Sequence, residues 1–293
     1  MRVEVIEPHG FCSGVKAALE KALHALASSG GDGVYCLHDI VHNESVVADL
    51  RARGLRFVRG LDEVPSGGTV LFSAHGVPPS VRREAQARGL RVVDATCPFV
   101  ARVHRQVRDY AARGVAVAVV GHADHVEVRG VVGEAEDAGA RVAVVKDAAG
   151  AEALPFAPGE PVGAVCQTTL SEESVRSVIA ALAARHPRLE TSPAADACTA
   201  TRDRQDAVRA FVASGGDGVL VLGSASSSNT RRLAETAEAA GARAWRASSV
   251  AEIAQLDFSG VARLGVTSGA STPEAFFGRT LELLGLKGES AGI

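Results

Sequence analysis

Aromatic residues make up only 4 % of this 293-residue chain, with one Trp, two Tyr and nine Phe, and there is a single Met. A core of the size such a chain needs must then be built from Val, Ala and Leu, which suits parallel sheets covered by Ala-rich helices. An excess of one charge is missing as well. The 31 Lys and Arg against 34 Asp and Glu leave a formal charge of −3. No basic cluster or Gly-rich RNA-binding signature occurs, so a nucleic-acid partner has no support. The longest apolar run, GVAVAVVG (residues 114–121), falls far short of the roughly 20 residues a membrane span requires. No charged leader and apolar stretch precede the opening strand pattern RVEVIEP. The expectation is therefore a chain without a secretory signal, cytoplasmic and away from the membrane.

Paired cysteines are lacking too. The five cysteines, Cys12, Cys36, Cys97, Cys166 and Cys198, are an odd number, and no C-x-x-C occurs. A disulfide framework and a zinc ribbon are both disfavoured. Core filling, metal ligation and nucleophilic chemistry remain.

What is present is a rhythm of short Val-rich strands and Ala/Arg/Glu-rich helices, the pattern of α/β sheets. A cysteine at a strand-to-helix junction recurs at Cys12, Cys97 and Cys198, at intervals of 85 and 101 residues. The spacing predicts three small α/β units with mainly parallel sheets, over residues 1–97, 98–195 and 196–293, divided near Cys97 and near Asp196. No low-complexity linker marks the joins, and the Pro-rich PFAPGEP (155–161) reads as a loop inside the second unit.

The cysteines fall into two groups. Cys36 in VYCL and Cys166 in GAVCQTT lie inside apolar strands, where a free cysteine is usually core filler. Cys12 in HGFCSGVKAAL, Cys97 in DATCPFVARVH and Cys198 in DACTATRDRQDAV each put sulfur at the start of a helix. A helix N-terminus favours thiolate over thiol, and thiolate is the form that binds metal. Pro98 suits a first helical turn because it leaves no N–H unpaired. Three scattered soft ligands suit an iron–sulfur cluster with one iron lacking a protein thiolate. Three unrelated helix-start cysteines would give the same spacing.

Almost every strand ends in polar residues, where α/β proteins bind ligands. The chain offers His42 and Asn43 in IVHN, His75 in FSAHGVPP, and His122, His125 and Glu127 in GHADHVEV. It also offers Thr168 and Thr169 in QTTLS, Ser227, Ser228 and Asn229 in GSASSSNTRRL, and Ser271 in GVTSGAS. Hydroxyls, amides and helix N-termini make an anion site, to which imidazoles add donors. Taken singly, the Ser-Ser-Asn run could be a helix cap, the threonines could cap the helix at Ser171, and Glu127 could be a surface residue at a helix start. Read as extended chain, His125 and Glu127 share a face and reach one pocket. A carboxyl group in a closed anion-lined site has its pKa raised, which suits a proton donor.

With these motifs in order from GFCSGV to GVTSGAS, the sequence resembles the LytB/IspH family, the 4-hydroxy-3-methylbut-2-enyl diphosphate (HMBPP) reductases. The resemblance implies three α/β units with pseudo-threefold symmetry around a central iron–sulfur cluster of the [4Fe-4S] type, held by Cys12, Cys97 and Cys198. It implies that His42, His75, His125, Thr168, Ser227, Ser228, Asn229 and Ser271 bind substrate, mostly its diphosphate. Glu127, assisted by Thr168 and His125, would supply the proton for removal of the allylic hydroxyl. The products would be isopentenyl and dimethylallyl diphosphate, the last step of the non-mevalonate pathway, with ferredoxin or flavodoxin as electron donor. Three residues depart from the family pattern: Val126 for the usual Pro, Ser268 for a common Ala, and Arg231 for an Asn of some members. Ser268 is expected to add a hydroxyl near the site. Two rivals share some of these features: a quinolinate-synthase-like dehydratase, and a non-catalytic metabolite sensor with structural zinc.

Overall fold

The computed structural model describes residues 1–30, 33–191 and 198–286. In chain order its elements begin with β1 (Arg2–Val5), α1 (Ser13–Ser28), β2 (Val34–Leu37), α2 (Glu44–Ala52), β3 (Leu55–Val58), β4 (Thr69–Phe72), α3 (Pro79–Ala87) and β5 (Arg91–Asp94). They continue with α4 (Pro98–Ala112), β6 (Ala116–Val120), α5 (Val126–Asp137), β7 (Val142–Val145), α6 (Ala148–Glu152), β8 (Val162–Cys166), α7 (Glu172–Arg185) and β9 (Leu189–Thr191). The remainder is α8 (Thr199–Ala213), β10 (Gly218–Leu222), α9 (Ser228–Ala239), β11 (Arg243–Ala247), α10 (Val250–Ile253), β12 (Arg263–Ser268) and α11 (Glu274–Leu283).

The described strands form three four-stranded sheets, ordered β3-β2-β4-β5, β7-β6-β8-β9 and β11-β10-β12-β1, and every pairing is parallel. All three share one order, second-first-third-fourth. The third sheet takes its fourth strand from the N-terminus of the chain, with Arg2 opposite Arg263 and Val5 opposite Val266. This corrects the sequence division, which assigned residues 1–97 to one unit. Local periodicity identifies β1 as a strand but carries no information on its partner, some 260 residues away. The division near Asp196, between 98–195 and 196–293, falls outside the described residues.

By contacts the chain forms two compact units. One comprises Met1–Ser13, His42–Val46 and the chain from Thr199 onward, with the sheet that contains β1. The other comprises Gly14–Val41 and Val47–Cys198, with the other two sheets. The central strands β2, β4, β6, β8 and β10 are buried along their whole length, as expected for parallel strands covered on both faces. Small residues in them make room for the few aromatics: a Cβ at Gly163 of β8 would lie 2.5 Å from the fully buried Tyr110 ring. Cys36 and Cys166 belong to these strands, 0 % and 1 % exposed. Burial pushes the Cys36 thiol far above its ordinary value, so it is core filler, as its setting predicted.

The shared strand order places the polar residues. In an open α/β sheet the ligand crevice lies beyond the carboxyl ends of the two strands where the winding reverses. In each sheet these are the first and third strands. In chain order His42 follows β2 and His75 follows β4, His125 and Glu127 follow β6 and Thr168 follows β8, and Ser227–Asn229 follow β10 and Ser271 follows β12. Each of the three helix-start cysteines follows the fourth strand of its sheet: Cys12 after β1, Cys97 after β5, Cys198 after β9.

Candidate functional site

In the unit with two sheets, α5 begins at Val126, one residue earlier than Glu127, and His125 is its N-cap. His125 Nδ1 accepts the Glu127 N–H at 3.2 Å, which places the ring proton of a neutral His125 on Nε2. The extended geometry expected for His125–Glu127 is therefore not found. Val126 is the first residue of α5, and the two residues are linked by the N-cap bond and not by strand alternation. Glu127 is 2 % exposed. One carboxylate oxygen accepts the Thr168 N–H at 2.7 Å and the other the Thr168 hydroxyl at 3.0 Å. Burial raises its pKa from 4.5 to about 7 against the opposing pull of the Thr168 bonds. A carboxyl that titrates near neutrality, held by a hydroxyl that can pass a proton on, is equipped as a general acid. Thr168 does not cap the following helix; Ser171 does that itself, accepting from the Ser174 N–H. The Thr168 carbonyl accepts the Cys198 N–H at 3.2 Å, so one threonine backbone joins the proton-holding carboxyl to a candidate ligand, a link that the sequence does not reveal.

His75 lies in the same unit. Its Nδ1 is 3.3 Å from the Ser73 hydroxyl, and its ring meets His125 edge to face, with centroids 6.1 Å apart. Cys97 occupies the N-cap position of α4 with Pro98 in the first turn, and its N–H donates to the Ala74 carbonyl at 3.0 Å. The turn before it is fixed as its residues suggest: Asp94 Oδ1 accepts the Thr96 N–H at 2.9 Å and the Thr96 hydroxyl at 2.5 Å. Burial acts to raise the Asp94 pKa, but the Thr96 and Arg82 hydrogen bonds outweigh it and hold the carboxyl below its ordinary value.

In the other unit, the Cys12 N–H donates to the Ala270 carbonyl at 3.0 Å. Two residues earlier, Gly10 is held at both ends: its N–H donates to Ser268 Oγ at 2.7 Å and its carbonyl accepts from the Arg204 guanidinium at 2.8 Å. Ser268 is fully buried. Its hydroxyl anchors the backbone of the loop that carries Cys12. Arg204, 3 % exposed, was not singled out at all; in a helical sequence it looks like any solvated arginine. Ser268→Ala leaves the Gly10 N–H without its acceptor and is expected to cost about 1–2 kcal/mol of stability, measurable by urea denaturation, with faster alkylation of Cys12 in the metal-free protein.

Ser271 Oγ donates to the His42 carbonyl at 3.1 Å, joining two candidate substrate-binding residues of this unit. Asn43 is a helix cap, its Oδ1 accepting from the Ser45 and Val46 N–H groups. The serine run divides its tasks. Ser226 Oγ donates to Glu44 at 3.1 Å, Ser227 caps α9 by accepting the Thr230 N–H, and Ser228 opens the helix. Asn229 is 5 % exposed, and both its Oδ1 and Nδ2 are buried without a hydrogen-bond partner among the described residues. A native fold rarely leaves a whole amide group unsatisfied, and such a group in the first turn of a helix that follows a strand marks a place for a ligand.

Among the described residues, no three His, Cys, Asp or Glu side chains form a ready metal group. Cys12 belongs to one unit, Cys97 and Cys198 to the other. All three are partly exposed thiols immediately before a helix or in its cap position, unlike the sealed Cys36 and Cys166. The donor chemistry fits an iron–sulfur group: soft sulfur ligands at helix N-termini, where thiolate is favoured.

The sequence matches the family described as LytB protein over residues 3–284. It is 43 % identical over 284 residues to the 4-hydroxy-3-methylbut-2-enyl diphosphate reductase of Tolumonas auensis, covering 97 % of this chain and 91 % of the relative. It is 44 % identical to the enzyme of that name from Aromatoleum aromaticum, covering 97 % and 89 %. The fold is similar to the solved E-1-hydroxy-2-methyl-but-2-enyl-4-diphosphate reductase of Plasmodium falciparum, with a TM-score of 0.90 and 32 % identity over 97 % of this chain and 87 % of that one. It is also similar to a solved (E)-4-hydroxy-3-methyl-but-2-enyl diphosphate reductase described as the terminal enzyme of the non-mevalonate pathway, with a TM-score of 0.70 and 32 % identity over 97 % and 99 % of the two chains.

Proposed function

The chain belongs to the LytB protein family, and on that premise we propose that it reduces HMBPP, removing the allylic hydroxyl as water. Two electrons and two protons enter, and isopentenyl and dimethylallyl diphosphate leave. The enzyme is an oxidoreductase of the non-mevalonate isoprenoid pathway. The observation that carries this reading is the buried Glu127 carboxyl, near pKa 7 and held on both oxygens by Thr168.

Cys12, Cys97 and Cys198 are the residues that would hold the cluster, a [4Fe-4S] group with one iron not bound by a protein thiolate. When bound, that group supplies electrons one at a time together with Lewis acidity. Glu127 holds a proton on its carboxyl, and the Thr168 hydroxyl passes it to the departing oxygen. His42, His75, His125, Ser227, Ser228, Asn229 and Ser271 bind the substrate, chiefly its diphosphate. Neutral donors and imidazoles do this where the strand ends offer few lysines, and the remote binding energy of the diphosphate orients the carbon end. The electrons come from a small carrier protein, ferredoxin or flavodoxin. The proposed setting is the cytoplasm. No helix among the described residues is long and apolar enough to cross a membrane.

The reading is tested at Asn229. Asn229→Ala is expected to weaken HMBPP binding at least about tenfold, the loss of one or two hydrogen bonds to a charged group. Iron and sulfide content should not change. Calorimetric titration of the anaerobic protein checks it; unchanged affinity would return Asn229 to a packing role.

A further inference from the structure

His104 lies on α4, 3 % exposed, with Nδ1 2.9 Å from Glu134 Oε1; Glu134 is 4 % exposed and its second oxygen accepts from Arg108 at 2.8 Å. Burial works to raise the Glu134 pKa, and the hydrogen bonds from His104 and Arg108 overcome it, holding the carboxyl below its ordinary value. An ionised carboxylate only accepts, so His104 Nδ1 carries a proton and the ring orientation is fixed. The opposite edge of the ring meets two glycines. A Cβ at Gly76 would lie 3.2 Å from His104 Cε1 and 3.3 Å from Nε2, and one at Gly130 would lie 3.4 Å from both. Gly76 follows His75, and Gly130 lies on α5 three residues beyond Glu127. One turn along, a Cβ at Gly133 would collide with Pro78. The loop carrying His75 thus lies on a glycine face of the helix whose first turn carries His125 and Glu127, and the His104 ring fills the space between them.

We propose that His104, its ring fixed by Glu134, is a positioning residue that sets the spacing between the His75 loop and α5 and so holds His75 and His125 edge to face. The functional consequence rests on the reading that these two histidines bind the substrate. His104 touches no reacting atom and acts through them.

The test combines a structural and a kinetic readout on the intact protein. Histidine ring protons of isotope-labelled protein should show a cross-ring NOE between His75 and His125 that is lost in His104→Leu and restored in His104→Asn, which keeps a donor for Glu134. For the holoenzyme, His104→Leu is expected to raise KM for HMBPP about tenfold while kcat stays within about threefold. Should His104→Leu fail to fold, Gly130→Ala decides. Alanine is the better helix former, so a purely structural site would gain or keep thermal stability with unchanged kinetics. The proposal expects the KM to rise about threefold to tenfold with no fall in Tm. A retained NOE and wild-type KM in both variants would overturn it. So would a loss of Tm in His104→Leu without rescue by asparagine, alongside a wild-type Gly130→Ala. A protein that loses the NOE as described but fails to turn over HMBPP upholds the positioning role and rejects the proposed reaction.

Discussion

Glu127→Gln is expected to retain HMBPP binding while lowering turnover about 10²–10⁴-fold, the usual reach of general acid catalysis. The substitution keeps the local geometry: the amide oxygen can accept the Thr168 N–H, and the amide nitrogen can donate to the threonine hydroxyl oxygen. Only the transferable proton is lost. The wild-type rate should fall as pH rises through about 7, the value to which burial lifts this carboxyl, and the variant should lose that limb. Stability follows with a definite sign. The folded-state pKa lies above the ordinary 4.5, so the fold favours the protonated form. That contribution is fully present below about pH 4.5 and is lost as pH rises through about 7. At pH 8 the ionised, buried carboxyl costs the fold about 3 kcal/mol, which the permanently neutral glutamine avoids. Denaturation midpoints of the two proteins should therefore converge at pH 4 and separate at pH 8, with the variant the more stable. Near-normal turnover, or midpoints that move in parallel across this range, would remove Glu127 from the role of buried proton source.

Cys97→Ala is expected to abolish activity and the brown cluster absorbance together. A site built from three thiolates on the protein has no spare ligand, and removing one leaves two. Cys166→Ala is the matched control: the residue is 1 % exposed inside β8, and the variant should keep both colour and turnover at some cost in packing. Iron and acid-labile sulfide per chain measure the outcome directly. A coloured and active Cys97→Ala protein would overturn the ligand assignment. Zinc without sulfide in the wild-type protein would favour a sensor over an enzyme.

The fold class was legible in the sequence: three α/β units with parallel sheets. The three cysteine junctions and the polar strand ends are legible because each is a local switch from strand to helix, and the structure shows that all belong to one repeated strand order. What escaped is whatever depends on partners far apart in the chain. β1 reads correctly as a strand, yet its pairing with β12 is invisible to periodicity. Ser268 reads as a hydroxyl near the site, but its partner, the Gly10 N–H, lies 258 residues away and is invisible to local pattern. His125 and Glu127 read as extended chain because the helix start at Val126 depends on the histidine accepting the Glu127 N–H, a cap outside the usual Ser, Thr, Asp and Asn set. His104 sits at a core position of an amphipathic helix, where a histidine looks like any interior residue. Only the buried Glu134, 30 residues on, gives it a distinct meaning.

The most direct measurement is product analysis by mass spectrometry after anaerobic incubation of the iron- and sulfide-loaded protein with HMBPP and a low-potential reductant. The reductase assignment predicts isopentenyl and dimethylallyl diphosphate, their sum accounting for one substrate per two electrons consumed. Intact HMBPP after incubation with fully loaded protein would contradict it.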